Sequence, residues 1–176
     1  MADKKSGAHE TVVFWQEYLK GYSVPTPLII DRLRSARLKG LDEYGEQQLR
    51  LGAELQEACD RFVRKNKCAP GILSQAVWAR LLARYNSAEQ VVFGFAPAPV
   101  TADLSASVPI RIQVSGEATT LGLLQGLQSV NADIRKFSRA TLTELRKWSD
   151  VPHNLPLFES LLIAGKQPPL AEMPQL

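Results

Sequence analysis

Histidine is scarce in this chain. Only His9 and His153 occur in 176 residues, and neither stands beside a second histidine or ahead of an Asp-Gly pair. Catalysis built on imidazole therefore has little to draw on. Cysteine is as rare. Cys59 and Cys68 are too few for a disulfide framework and lack metal-type pairing, which points to a reducing, cytoplasmic setting. No run approaches the roughly 18 apolar residues that cross a bilayer, so no membrane span is expected. The Met-Ala-Asp-Lys-Lys start has no apolar stretch behind it, so no signal peptide is expected either. No Gly-x-Gly-x-x-Gly or Walker-type loop follows a strand, and no His, Cys, Asp and Glu set has metal-ligand spacing. Neither a nucleotide, a metal nor any directly bound cofactor is expected.

What is present is ordinary for a globular protein. Hydrophobic residues make up 45%, charged residues 22%, and the formal net charge is +3. That is enough chain for one domain with a real core. Eleven of the 21 basic residues fall into three clusters: Arg32, Arg34, Arg37 and Lys39; Arg61, Arg64, Lys65 and Lys67; Arg135, Lys136 and Arg139. None interleaves aromatics or sits in a known reader motif. They read as solvated helix faces, and nucleic acid is not an expected partner. Asp42 and Glu43 read as surface charges, and His153, between Pro152 and Asn154, as a solvated loop residue.

Residues 1–10 are small and polar, without an apolar period, and read as a disordered tail. Val12, Trp15, Tyr18 and Leu19 then share one helical face, and Gly21 is placed to end that helix in a left-handed conformation. Pro25 and Pro27 force an extended connection. Gln48–Leu51 alternate as a strand would. Leu55, Ala58, Cys59, Phe62 and Val63 form the stripe of an amphipathic helix over about 53–67, with Cys59 read as a small buried residue. Pro70 suits the first turn of the next helix, which is apolar on most of its circumference through Tyr85 and reads as the central buried helix. Gln90–Phe95 reads as a strand, followed by Ala96-Pro97-Ala98-Pro99, unsuited to a central strand. Val108–Val114 alternates again. Leu123, Leu127, Val130, Ile134 and Phe137 define a helix over about 119–136. Thr141 and Glu144 have capping-box spacing for a short helix carrying Leu142, Leu145 and Trp148. Leu157–Ile163 reads as a strand buried on both faces, central in its sheet, and residues 169–176 as a tail. The alternation implies an α/β fold, a mixed β-sheet covered by helices, in one domain over 11–168.

Several of these blocks carry a resemblance. Leu142-Thr-Glu-Leu-Arg-Lys-Trp148-Ser149 followed by Leu157-Phe158-Glu159, Val91-Val92-Phe93-Gly94 after a helix ending in Ala83-Arg84-Tyr85, and Phe14-Trp15-Gln16-Glu17-Tyr18-Leu19-Lys20-Gly21 with Pro25-Thr26-Pro27-Leu28 occur in the order found in nonribosomal peptide synthetase condensation domains. Over about residues 12–168 the chain resembles the C-terminal lobe of that family. The resemblance implies one lobe of the chloramphenicol-acetyltransferase-like fold, and Pro109-Ile110-Arg111 is similar to the family's "lPvR" strand. The family's His-His-x-x-x-Asp-Gly motif, carried by the other lobe and associated with amide-bond formation, has no counterpart here. The Gly-Arg-Pro and Gly-x-Phe-x-Asn-Thr motifs between the two matched strands are lost as well.

By that resemblance Gly94, Pro109 and Arg111 are the candidates for a substrate channel or a lobe interface, and no residue is assigned a catalytic role. For Arg111 a surface strand residue or a structural ion pair is the competing reading. The implied partners are carrier protein domains, through their phosphopantetheine arm, and an N-terminal condensation lobe or other synthetase modules. Three readings stay open: a half that supports amide-bond formation once completed by the other lobe, a non-catalytic interaction module contacting carriers or neighbouring domains, and a remnant or an unrelated acyltransferase half.

Overall fold

The computed structural model describes residues 2–28, 47–97, 107–116, 119–137 and 140–165. The expected tail at 169–176, the Asp42-Glu43 pair and the first basic cluster lie outside them. The described chain runs α1 (Ala2–Leu19), α2 (Ala53–Lys65), α3 (Pro70–Asn86), β1 (Gln90–Pro97), β2 (Val108–Gln113), α4 (Thr120–Lys136), α5 (Leu142–Trp148) and β3 (Leu161–Ala164).

The helix ends follow local chemistry. Pro70 occupies the first turn of α3, where its missing N–H has no partner to lose. Thr119 caps α4 by accepting from the Gly122 amide at 3.1 Å. The capping box of α5 is complete: the Thr141 amide donates to Glu144 Oε2 at 2.8 Å and the Glu144 amide to Thr141 Oγ1 at 3.3 Å. Gly21, at φ 71°, turns the chain out of α1 in the left-handed conformation expected of it.

The three strands form one mixed sheet in the order β2-β1-β3. β1 and β2 are antiparallel, with Gln90 opposite Gln113 and Phe95 opposite Val108, while β1 and β3 are parallel, with Gly94 opposite Leu161. Side chains alternate across a sheet, so Val91, Phe93, Ile110 and Ile112 share one face. On it pack α3 and α4. The opposite face carries Val92, Gly94, Pro109 and Arg111, and is met by the end of α1 and by the segment before β3. α5 packs on α1. Trp15, Leu19, Phe93, Ile110, Leu127 and Leu145 are fully buried and fill the space between these layers.

Five readings from sequence are corrected. Residues 2–10 belong to α1. Once Trp15 and Leu19 anchor its last turns, a helix extends into solvent residue by residue at little cost, and apolar periodicity is not needed there. Gln48–Leu51 forms no strand, and Leu49 is 89% exposed. Alternation alone supplies no partner for the backbone groups. Pro97 ends the central strand. The β2 ladder stops at Phe95, so among the described residues no second strand flanks Pro97. β3 lies at the edge of the described sheet, spans four residues and is only half-buried. α3 buries Ile72, Gln75, Ala76, Ala79, Leu82 and Ala83 but leaves Val77, Leu81 and Tyr85 exposed, so it is covered on one side only.

Candidate functional site

The three residues singled out by resemblance do come together. Gly94 and Pro109 are direct partners across β1 and β2, Arg111 lies two residues further along β2, and all three share the face turned toward α1. That face is closed by packing. A β-carbon on Gly94 would overlap Cε2 of Phe158, so the ring lies directly on the glycine.

Arg111 ties α1 to the sheet. Its guanidinium donates to the carbonyls of Tyr18 (3.1 Å) and Lys20 (2.8 Å), which are left unpaired where α1 ends, and its Nε donates to Gln90 Oε1 at 3.0 Å. The Arg111 amide in turn donates to the Tyr18 hydroxyl at 2.7 Å. Burial pushes the Tyr18 phenol well above its ordinary range, against the opposing influence of Arg111, so it stays a neutral hydrogen-bonding group. Burial likewise raises Tyr22, whose hydroxyl donates to the Leu157 carbonyl at 2.9 Å. This cluster resembles a structural joint in its chemistry, since its polar groups are spent on backbone and on the Gln90 side chain. Sequence reasoning named Arg111 but missed Tyr18, Tyr22 and Phe158, because their partners lie more than sixty residues away.

The segment between the two prolines has a matching role. Thr26 Oγ1 accepts the Val92 amide at 2.8 Å, and the Gly94 amide donates to the Ser160 carbonyl at 2.8 Å, so Thr26 and then the approach to β3 cover one edge of β1. Trp78 reaches the same place from α3, its Nε1 donating to Ser160 Oγ at 3.2 Å.

Among the described residues no group of three His, Cys, Asp or Glu side chains is placed to hold a metal ion. His9 and His153 are both exposed. A concavity lies elsewhere, between the outer side of α3 and the start of α4. This groove of about 610 Å³ is mostly aliphatic, with Arg80 and Arg84 in its lining. No described helix is long and apolar enough to cross a membrane.

Comparison with known proteins places this architecture. The X-domain from teicoplanin biosynthesis matches with a TM-score of 0.67 at 20% identity, over 87% of this chain and 36% of that one. The fold is therefore α/β and condensation-domain-like. No family model matches the chain. In sequence it is 30% identical over 175 residues, 94% of its length, to one of the linear gramicidin synthase proteins of Brevibacillus parabrevis. It is also 30% identical over 166 residues, 88% of its length, to chondramide synthase cmdD of Chondromyces crocatus. The chain is thus homologous to a segment of nonribosomal peptide synthetases. It spans only 3% and 4% of the length of these two curated relatives.

Proposed function

We propose that the chain acts as the C-terminal part of a synthetase condensation domain, supporting amide-bond formation between carrier-bound aminoacyl or peptidyl thioesters only together with an N-terminal lobe bearing the His-His-x-x-x-Asp-Gly motif. The observation that carries this reading is the unequal coverage: 87% of this chain finds its counterpart in 36% of the X-domain. Amide formation needs an amine held beside a thioester carbonyl and a group that manages its proton. The described residues supply one packed wall and no such group. The phosphopantetheine arm belongs to the partner carriers. At Gly94 itself the Phe158 ring occupies the face of the glycine. A cytoplasmic location goes with this reading, as the setting in which synthetase partners would be met.

The test combines this chain with a separately produced N-terminal lobe and two loaded carrier domains, and follows dipeptidyl thioester by mass spectrometry. Product is expected only when both lobes are present. Product from this chain alone, or lobes that neither associate nor yield product, would overturn the reading. The apolar groove with its two arginines favours a second reading, a non-catalytic module that contacts carriers or neighbouring domains. It predicts carrier binding with no lobe added.

A further inference from the structure

A strand has two edges, and the hydrogen bonds of β1 fix which groups of β2 face its outer one. The Val92 amide donates to Thr26 Oγ1 and the Gly94 amide to the Ser160 carbonyl, both away from β2. Val91, Phe93 and Phe95 therefore turn their backbone groups toward β2, and their partners Ile112, Ile110 and Val108 make the ladder bonds. Pro109, Arg111 and Gln113 are left to turn theirs outward. Among the described residues no strand pairs with β2 on that side.

An outer edge of this kind is a template for another strand, and here it is blunted. Pro109 brings no N–H. At Arg111 the Tyr18 hydroxyl accepts from the amide at 2.7 Å and donates to the carbonyl at 3.3 Å. One side-chain group thus meets both bonds that the backbone of a neighbouring strand would make. Thr26 does the same for β1, taking the Val92 amide just ahead of Gly94, where β3 begins to pair. Both hydroxyls belong to residues 14–28. The Tyr18 ring stacks on Phe14 with or without its hydroxyl, so packing does not account for the group at its tip.

We propose that the Tyr18 hydroxyl is an edge guard, which keeps β2 from pairing with β2 of a second copy. The pairing it blocks is antiparallel and two-fold about Ile112. Arg111 of one copy then lies opposite Gln113 of the other, and each pair exchanges both backbone bonds. That register avoids Pro109 and keeps the two arginines from facing one another. The side chain that ties α1 to the sheet therefore also controls assembly. The inference is independent of the synthetase reading, since no lobe, carrier or peptide bond enters its argument or its test.

Amide hydrogen exchange and sedimentation velocity of the full chain test this together. In Tyr18→Leu the Arg111 amide is expected to exchange about tenfold faster in dilute solution and to regain protection as the chain is concentrated. Self-association should become about tenfold tighter than in wild type. Adding Gln113→Pro removes an outward donor without giving up a bond to β1, and returns association to the wild-type level. Tyr18→Phe, which keeps the ring on Phe14 and loses only the hydroxyl, moves both readouts the same way. It serves alone if circular dichroism shows that Tyr18→Leu has lost helix. An Arg111 amide as protected as in wild type, faster exchange with no gain in association, or association that survives Gln113→Pro would each overturn the guard. The last of these would mark contact through a loosened core instead of through a strand.

Discussion

A methyl group on Gly94 has nowhere to go while the Phe158 ring keeps its place against the glycine. Gly94→Ala is expected to cost about 1–3 kcal/mol, the range for overpacking a filled site, read as a lower urea midpoint at unchanged slope. Adding Phe158→Leu should return part of that loss, because the two changes share one contact. Glu144 makes a prediction that depends on pH. Hydrogen bonds from the Thr141 amide and hydroxyl hold its carboxyl below the ordinary range. A depressed folded-state value means that its contribution is present above the unfolded value of about 4.3 and is lost as pH falls through the folded one. The stability gap between wild type and Glu144→Gln should therefore close on acidification below that point, and Thr141→Ala should cost about 1 kcal/mol at neutral pH. Thr141 and Glu144 were legible because a cap is written within four residues. Phe158 on Gly94 was not, since nothing local to Val91-Val92-Phe93-Gly94 says which ring will lie over it.

Arg111 and Tyr18 tie α1 to β2, and Gln75 and Asn131 tie α3 to α4. Arg111→Ala removes the guanidinium from the Tyr18 and Lys20 carbonyls. About 2 kcal/mol is expected from charged hydrogen bonds of this kind, with faster amide exchange in the last turn of α1. Between α3 and α4, Gln75 and Asn131 exchange two amide hydrogen bonds in the interior, at 3.1 and 2.7 Å. Asn131→Leu strands the Gln75 amide there and should cost about 2–3 kcal/mol. Gln75→Leu with Asn131→Leu should cost less than the single change, which a denaturant double-mutant cycle would show. At this scale the sequence was most legible where an element carries its own boundaries, as with Pro70, Thr119 and Thr141. It misled where an element depends on a neighbour: Gln48–Leu51 alternates without finding a strand to pair with, and Leu157–Ile163 looked central although only Leu161–Ala164 pairs, at an edge.

For the molecule as a whole, the α/β class and the order of elements were readable from periodicity, while the open sides of α2 and α3 were not. Apolar residues on most of a helix circumference read as full burial, and whether a second surface covers them is decided by packing that spacing does not encode. If an N-terminal lobe completes the domain, adding it should raise the melting temperature of this chain by mass action, and scanning calorimetry of the mixture would register the shift. One further property follows from the ties between the first and last parts of the described chain. The Gly21 amide donates to Asp150 Oδ2 at 2.7 Å, Tyr22 to the Leu157 carbonyl at 2.9 Å, and the Leu28 amide to Glu159 Oε2 at 3.0 Å. During translation residues 21–28 leave the ribosome long before residues 150–159 exist, so the groups tied here stay exposed until the later segment follows. A pause before residue 150 would lengthen that exposure and give chaperones their longest interval for contact with this protein.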